Sequence, residues 1–357
     1  MNLPYPTDIR PLTSLRFFAA LAVVFHHIGY FMPSPVPWAA GFFQKGYLGV
    51  DFFFILSGFI LTHVYADSLR TGVCTVRDFY VRRFARIYPL HLLTLLVMAG
   101  MFYTRLGFGF VGDMPAAFPV KTFFDHLLMI HAWGTEQTLR LNAPSWSISA
   151  EWLAYLLFPL LIAGLPRFHP RNLVCAAAIL FAAMWLISVM INPERPLTKL
   201  STDFGIVRIF PEFALGMALY LFFRQRAGVS HAGRWLALCA AGIAALMYAH
   251  APDIIIVSLF AAIIVLAADL SRSGGGWLSG PFCVWLGEIS YAVYMTHYIV
   301  LTVILWGAWQ ALAQADFLAI FPLLAAASVA TTVGISAISY HALEKPARRW
   351  ITKTLTP

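Results

Sequence analysis

Ten apolar runs follow one another along the 357 residues, each near the ~20 residues needed to cross the hydrocarbon core of a bilayer. They fall at about 15–32, 49–66, 88–106, 146–163, 172–191, 207–223, 235–250, 253–270, 283–306 and 317–341. Inside lipid every backbone polar group needs an internal partner, which a run of this length finds as a helix. The sequence therefore predicts an all-α, polytopic integral membrane protein of about ten transmembrane helices. Charged residues make up 11% of the chain, against about 25% in a soluble domain, and the deficit is spread over the whole length. Residues 1–357 read as one membrane domain with its core at about 10–350. No linker, internal repeat, cleavable leader or appended soluble domain is visible. The longest connection, 107–145, holds an amphipathic segment, Lys121 to His131, expected as an interfacial or re-entrant helix.

Positive charge sets the expected orientation. With the N-terminus in the cytoplasm, the arginine clusters at 70–86, at 224–234 and at the C-terminal tail all fall on the cytoplasmic side. The sparser Lys45, Arg105, Lys121, Arg140, Arg195, Lys199 and Arg208 fall on the other. Both termini are then cytoplasmic, and the net charge of +8 reflects topology rather than a nucleic-acid partner. The four cysteines show no CxxC pairing, so neither a metal site nor a disulfide framework is expected.

Few ionisable residues lie within the apolar runs, and each is a functional candidate. The first run, SLRFFAALAVVFHHIGY (Ser14 to Tyr30), places Arg16 eleven residues before His27. On a helix that is three turns plus about 20°, so both side chains share a stripe about 16 Å apart along the axis. His26 lies roughly 80° off that stripe. The second run opens with GVDFFFILSGFIL (Gly49 to Leu61). Its Asp51 can share the depth of His27 and fix the imidazole tautomer, or it can cap its own helix. Ser57 and Gly58 suit close helix packing.

Arg82, Arg83 and Arg86 crowd the start of the third run. They are either an ordinary cytoplasmic anchor or a phosphate site, since arginine forks match phosphate oxygens; Arg16 at the same interface can join them. Glu151 lies inside the fourth run, in PSWSISAEW. It can orient a histidine, bind sugar hydroxyls or pair with an arginine such as Arg208. Arg208 and Glu212, four apart, read as an ion pair within one helix. His297 is a second deep histidine, while His91 reads as an unremarkable interfacial residue. Glu344 and the basic tail read as a helix end and an anchor.

Taken in order, these pieces resemble the membrane acyltransferase-3 family. The matching elements are Arg16 with His27, GVDFFFILSGFIL, RFAR at Arg83 to Arg86, PSWSISAEW, FPEFALGM, LGEISYAVYMTH and LEKPARRW. The resemblance implies ten core helices in a bacterial inner membrane. It also implies cytoplasmic acetyl-CoA as donor co-substrate, with no permanently bound cofactor, and a sugar hydroxyl of a polysaccharide or lipid-linked glycan as acceptor. Carried onto this chain, it makes His27 the essential histidine; Glu151 and Asp51 are further catalytic candidates from their place in the apolar runs. By the same resemblance Arg16, Arg83 and Arg86 become the acyl-CoA ligands, and Arg82 joins them as a candidate from the same arginine cluster. The pantetheine arm of CoA, on the order of 15–20 Å as the resemblance implies, matches the ~16 Å between Arg16 and His27. Expected partners are membrane lipids, the glycan and the polysaccharide machinery. Some family members carry an extracytoplasmic hydrolase-like domain, so this chain reads as a stand-alone form or as one that hands the acyl group on. Two other functions are compatible with these residues: a transporter or flippase of a glycan or amphiphilic metabolite, and a structural subunit of a polysaccharide export complex.

Overall fold

The computed structural model describes residues 8–30, 40–104, 120–136, 141–164 and 169–356. Every regular element among them is helical. In chain order they are α1 (Arg10–Gly29), α2 (Ala40–Lys45), α3 (Gly49–Arg70), α4 (Val76–Thr104), α5 (Val120–Leu127), α6 (Trp146–Gly164) and α7 (Pro170–Ile191). They continue as α8 (Gly205–Gln225), α9 (Ala232–Tyr248), α10 (Asp253–Arg272), α11 (Pro281–Leu301), α12 (Gly307–Ala311), α13 (Gln314–Ser339) and α14 (Lys345–Leu355). Among the described residues nine helical stretches are long and apolar enough to cross a membrane, and α9 is a shorter apolar helix. Each of the ten apolar runs thus has its helix. Arg105 and Arg140, used above for orientation, lie outside the described residues.

α4 begins well before its apolar run. Thr75 and Asp78 close a reciprocal capping box: the Asp78 N–H donates to Thr75 Oγ1 at 3.1 Å, and the Thr75 N–H donates to Asp78 Oδ2 at 3.3 Å. Arg82, Arg83 and Arg86 therefore ride on the helix itself. The amphipathic segment is shorter than expected. α5 stops at Leu127, and Met129 takes a left-handed φ of 56°. His131 opens a separate turn, His131–Thr135. Lys121 ties these pieces together through Asp125 at 2.5 Å, the Thr135 carbonyl at 2.8 Å and Glu136 at 3.1 Å. These bonds to Asp125 and Glu136 raise Lys121 above the usual lysine range. Burial pushes Asp125 up, but the Lys121 ammonium outweighs it and holds the carboxyl below its ordinary value.

The helices surround two large hydrophobic cores, with α3 and α8 on the seam between them, and a smaller third cluster around Leu95, Met98 and Tyr298. These two helices run in the same direction, from the Asp51–Arg208 pair to the His63–Tyr220 contact. Midway their backbones touch. A Cβ on Gly58 would fall 2.1 Å from the Phe213 carbonyl oxygen, and one on Gly216 would fall 1.9 Å from that of Ile55. Only glycine permits this approach, which in lipid replaces the hydrophobic effect as a source of helix association. The contact sets α3 and α8 in register and so decides which side chains face each other at the site. On the other side of α3, α1 packs along α11, bringing residues 270 apart in sequence together.

Candidate active site

His27 stands in the last turn of α1. Its Nδ1 lies 2.9 Å from the Val23 carbonyl oxygen and 3.2 Å from Nε2 of His297 on α11. The Nδ1 of His297 lies 2.6 Å from the Tyr294 carbonyl oxygen. Carbonyls only accept, so both Nδ1 atoms carry the proton in the neutral imidazoles. The lone pair of His297 Nε2 then faces the His27 Nδ1–H, which leaves the lone pair of His27 on Nε2. His26, one residue earlier, is fully committed. Its Nδ1–H donates to the Phe43 carbonyl at 2.8 Å, and its Nε2 accepts from the Tyr30 hydroxyl at 2.8 Å.

Asp51 does not serve His27. It is completely buried and takes a two-pronged contact from Arg208: Nε to Oδ1 at 3.1 Å and Nη2 to Oδ2 at 2.5 Å. Arg208 also lies over the Trp146 ring, 5.2 Å from its centroid. The reason is competition. The α3–α8 contact offers Asp51 a guanidinium fork, which beats a neutral imidazole as a carboxylate partner. Glu212 lies against the same pair, so Arg208 answers a carboxylate on a neighbouring helix instead of pairing within its own.

Glu151 lies elsewhere, accepting from the Ser57 hydroxyl and from the Tyr155 hydroxyl at 2.6 Å. It lines an inner chamber with Arg16, Arg83 and Arg86, so it orients no histidine and does not pair with Arg208. Arg83 donates to the Tyr65 hydroxyl at 2.9 Å and lies 5.0 Å from that ring's centroid. Its Nε is buried with no partner among the described residues. Arg86 lies 5.5 Å from the Tyr291 ring centroid and 3.6 Å from Glu344. Glu344 is 4% exposed, a wall of the arginine cluster and not the anchor its place in the sequence implies. Arg82 is exposed and takes no part in the chamber lining.

His27 lines a second, outer chamber together with Tyr30, Gln44, Trp146, Arg195, Lys199, Ser201 and Arg208. The outer cavity is about 380 Å³, within the ~300–1,000 Å³ typical of small-molecule pockets. The inner is about 140 Å³, room for an extended thread but not a compact ligand. The two share Val50 and Tyr294 as walls. Tyr294 is held there by Ser147 at 2.7 Å and by donating to the Pro144 carbonyl at 2.9 Å. α1 thus contributes Arg16 to one chamber and His27 to the next, as their shared stripe predicts.

His91 is also unlike its sequence reading. It is 1% exposed and lies in a stack with His126 and His131, the latter two only 3.7 Å apart between ring centroids. Burial, together with His126 and His91, pushes His131 well below the usual histidine range. No group of metal-ligating side chains occurs among the described residues. The role of His297 as the partner of His27 was missed. Its depth in the ninth run was the available signal; its partner was not.

The comparisons with known proteins agree with this architecture. The family described as "Acyltransferase domain" matches residues 11–341. The acyltransferase MdmB of Streptomyces mycarofaciens is 31% identical over 322 residues, 84% of this chain and 80% of that protein. The peptidoglycan O-acetyltransferase OatA of Listeria monocytogenes is 23% identical over 375 residues, 95% of this chain but 55% of that protein. The chain therefore spans about half the length of this larger relative. No solved structure matches it. The chain belongs to the acyltransferase-3 family of multi-pass membrane acyltransferases.

Proposed function

We propose that this protein transfers an acetyl group from cytoplasmic acetyl-CoA to a hydroxyl of a surface or exported polysaccharide, or of its lipid-linked precursor, at a bacterial inner membrane. The observation that carries the reading is the pair of chambers: one lined by Arg16, Arg83 and Arg86, the other by His27, meeting at Val50 and Tyr294. The arginine end also holds Glu344, the last residue of the turn Tyr340–Glu344 that follows α13, so the start of α1 and the end of α13 lie at the same end of the bundle. Loop charge supports assigning that end to the cytoplasm.

In this reading the guanidinium groups bind the CoA phosphates through charge-assisted bonds. The pantetheine arm follows the narrow inner chamber to the shared wall. His27 Nε2 takes the proton of the acceptor hydroxyl as its oxygen attacks the thioester carbonyl carbon. The carbon–sulfur bond breaks, and the imidazolium returns the proton to the departing thiolate. Attack by Nε2 itself, forming an acyl-imidazole that the hydroxyl then cleaves, uses the same geometry. His297 fixes the tautomer in both routes.

Arg83→Ala tests the donor half. It removes a charged donor from the proposed phosphate site, so the apparent KM for acetyl-CoA should rise roughly tenfold or more, with kcat changing less. The check is labelled acetyl transfer in membranes over a range of acetyl-CoA concentrations. An unchanged KM would remove Arg83 from the donor site.

A further inference from the structure

The outer chamber is cationic. Arg195, Lys199 and Arg208 line it, and among the described residues no carboxylate does. The three charges are not equivalent. Arg208 is neutralised by Asp51. Arg195 is held by Asp203, Nη1 to Oδ2 at 2.6 Å and Nη2 to Oδ1 at 2.9 Å. Lys199 has no carboxylate partner among the described residues. Among those residues its ammonium donates to the Glu194 carbonyl alone, at 3.2 Å.

The position of Lys199 is built rather than incidental. It ends a short turn, Leu197–Lys199, between α7 and α8. Leu197 is buried and its N–H donates to Ser188 Oγ at 2.7 Å. Thr198 is buried and donates to Asp253 Oδ2 at 2.5 Å. Asp253 is in turn held by Lys45 and by the Tyr47 hydroxyl at 2.5 Å. A pinned turn therefore presents an uncompensated ammonium to the chamber that contains His27. Lysines that serve only as lipid anchors have no need of such a cavity. The far side of the membrane is also the side where loop lysines and arginines are sparse. Gln44, Ser201 and Tyr30 line the same space and supply neutral donors and acceptors suited to hydroxyl groups.

We infer that the acceptor site takes an anionic glycan, with a carboxylate or phosphate of the acceptor on Lys199 beside Arg195 while a hydroxyl of the same molecule faces His27. The inference rests on the acyltransferase reading and names its acceptor class. Charge complementarity of this kind both steers the ligand inward and discriminates against neutral competitors.

The test uses membranes containing the full chain, their endogenous glycan and acetyl-CoA labelled in the acetyl group. The labelled glycan is passed over an anion exchanger, before and after mild acid removes any lipid-linked phosphate and after chemical reduction of carboxyl groups. Labelled glycan should be retained. Loss of retention after mild acid puts the charge on the lipid carrier; loss after carboxyl reduction puts it on the sugar. Retention that survives both assigns it to a phosphate on the glycan. Lys199→Gln should lower the initial rate at limiting acceptor roughly tenfold, Lys199→Arg should restore most of it, and the KM for acetyl-CoA should not move. Label in the neutral fraction, or wild-type rates in Lys199→Gln, would overturn the inference while leaving the acyltransferase intact. Absence of any label in glycan from wild-type membranes would instead overturn the proposed function and the inference with it.

Discussion

Replacing His27 with alanine is expected to lower acetyl transfer by roughly 10²–10⁴-fold, the usual contribution of a positioned base. His26→Ala is expected to cost far less. The two residues are adjacent in sequence and both histidines, yet their hydrogen bonds separate them. Both nitrogens of His26 are occupied, by the Phe43 carbonyl and the Tyr30 hydroxyl. The two bonds of His27 fall on one nitrogen, Nδ1, which leaves Nε2 with its lone pair in the outer chamber. The check is a deletion strain complemented with each variant at equal protein level, followed by proton NMR of the O-acetyl signal on its polysaccharide. Wild type and His26→Ala should restore the signal. Equal loss in both histidine variants would show that the pair is structural. An unchanged acetyl pattern with less exported polysaccharide would point to a transporter.

The second large effect is on stability. Arg208→Ala removes the cation that faces Asp51, on α3, and Glu212, one turn along α8. Both carboxyls are completely buried. Breaking a buried pair by deleting one partner costs about 3–5 kcal/mol, a large part of the ~5–15 kcal/mol that holds a typical domain together. Much lower yield and an earlier thermal transition in detergent are expected. Deleting the opposing charge as well, in Arg208→Met with Asp51→Leu, should recover part of the loss, because an apolar pair of similar size avoids the unpaired charge. Asp51→Ala alone should be milder than Arg208→Ala, since Glu212 remains beside the guanidinium. If Arg208→Ala were fully stable but inactive, the pair would belong to the chemistry and not to the scaffold.

The contrast between these two sites shows what a sequence of this kind makes legible. The apolar runs and their number could be read directly, because a helix in lipid is dictated by length and composition. Arg16 and His27 could be matched because their spacing is a property of a single helix. The family could be identified from motifs in order. Partners across helices could not be read in this way. Asp51 has two plausible neighbours at its depth, and the choice of Arg208 over His27 depends on Gly58 meeting α8 and Gly216 meeting α3, residues far apart in the chain. His297 reaches His27 across 270 residues, and nothing local to either announces it. Glu151 was legible as a buried polar group but not as a neighbour of three arginines. The early start of α4 is a different case. The capping box at Thr75 and Asp78 is a local signal, but hydropathy alone does not register it.

In the proposed reaction, donor and acceptor enter from opposite faces and meet at the wall shared by the two chambers. Labelled acetyl-CoA added to sealed membrane vesicles of known sidedness tests it most directly. Inverted vesicles, with the cytoplasmic face outward, should transfer label to glycan, and right-side-out vesicles should do so only after permeabilisation. Transfer by intact right-side-out vesicles would contradict the account, because the arginine chamber would then open away from the cytoplasm.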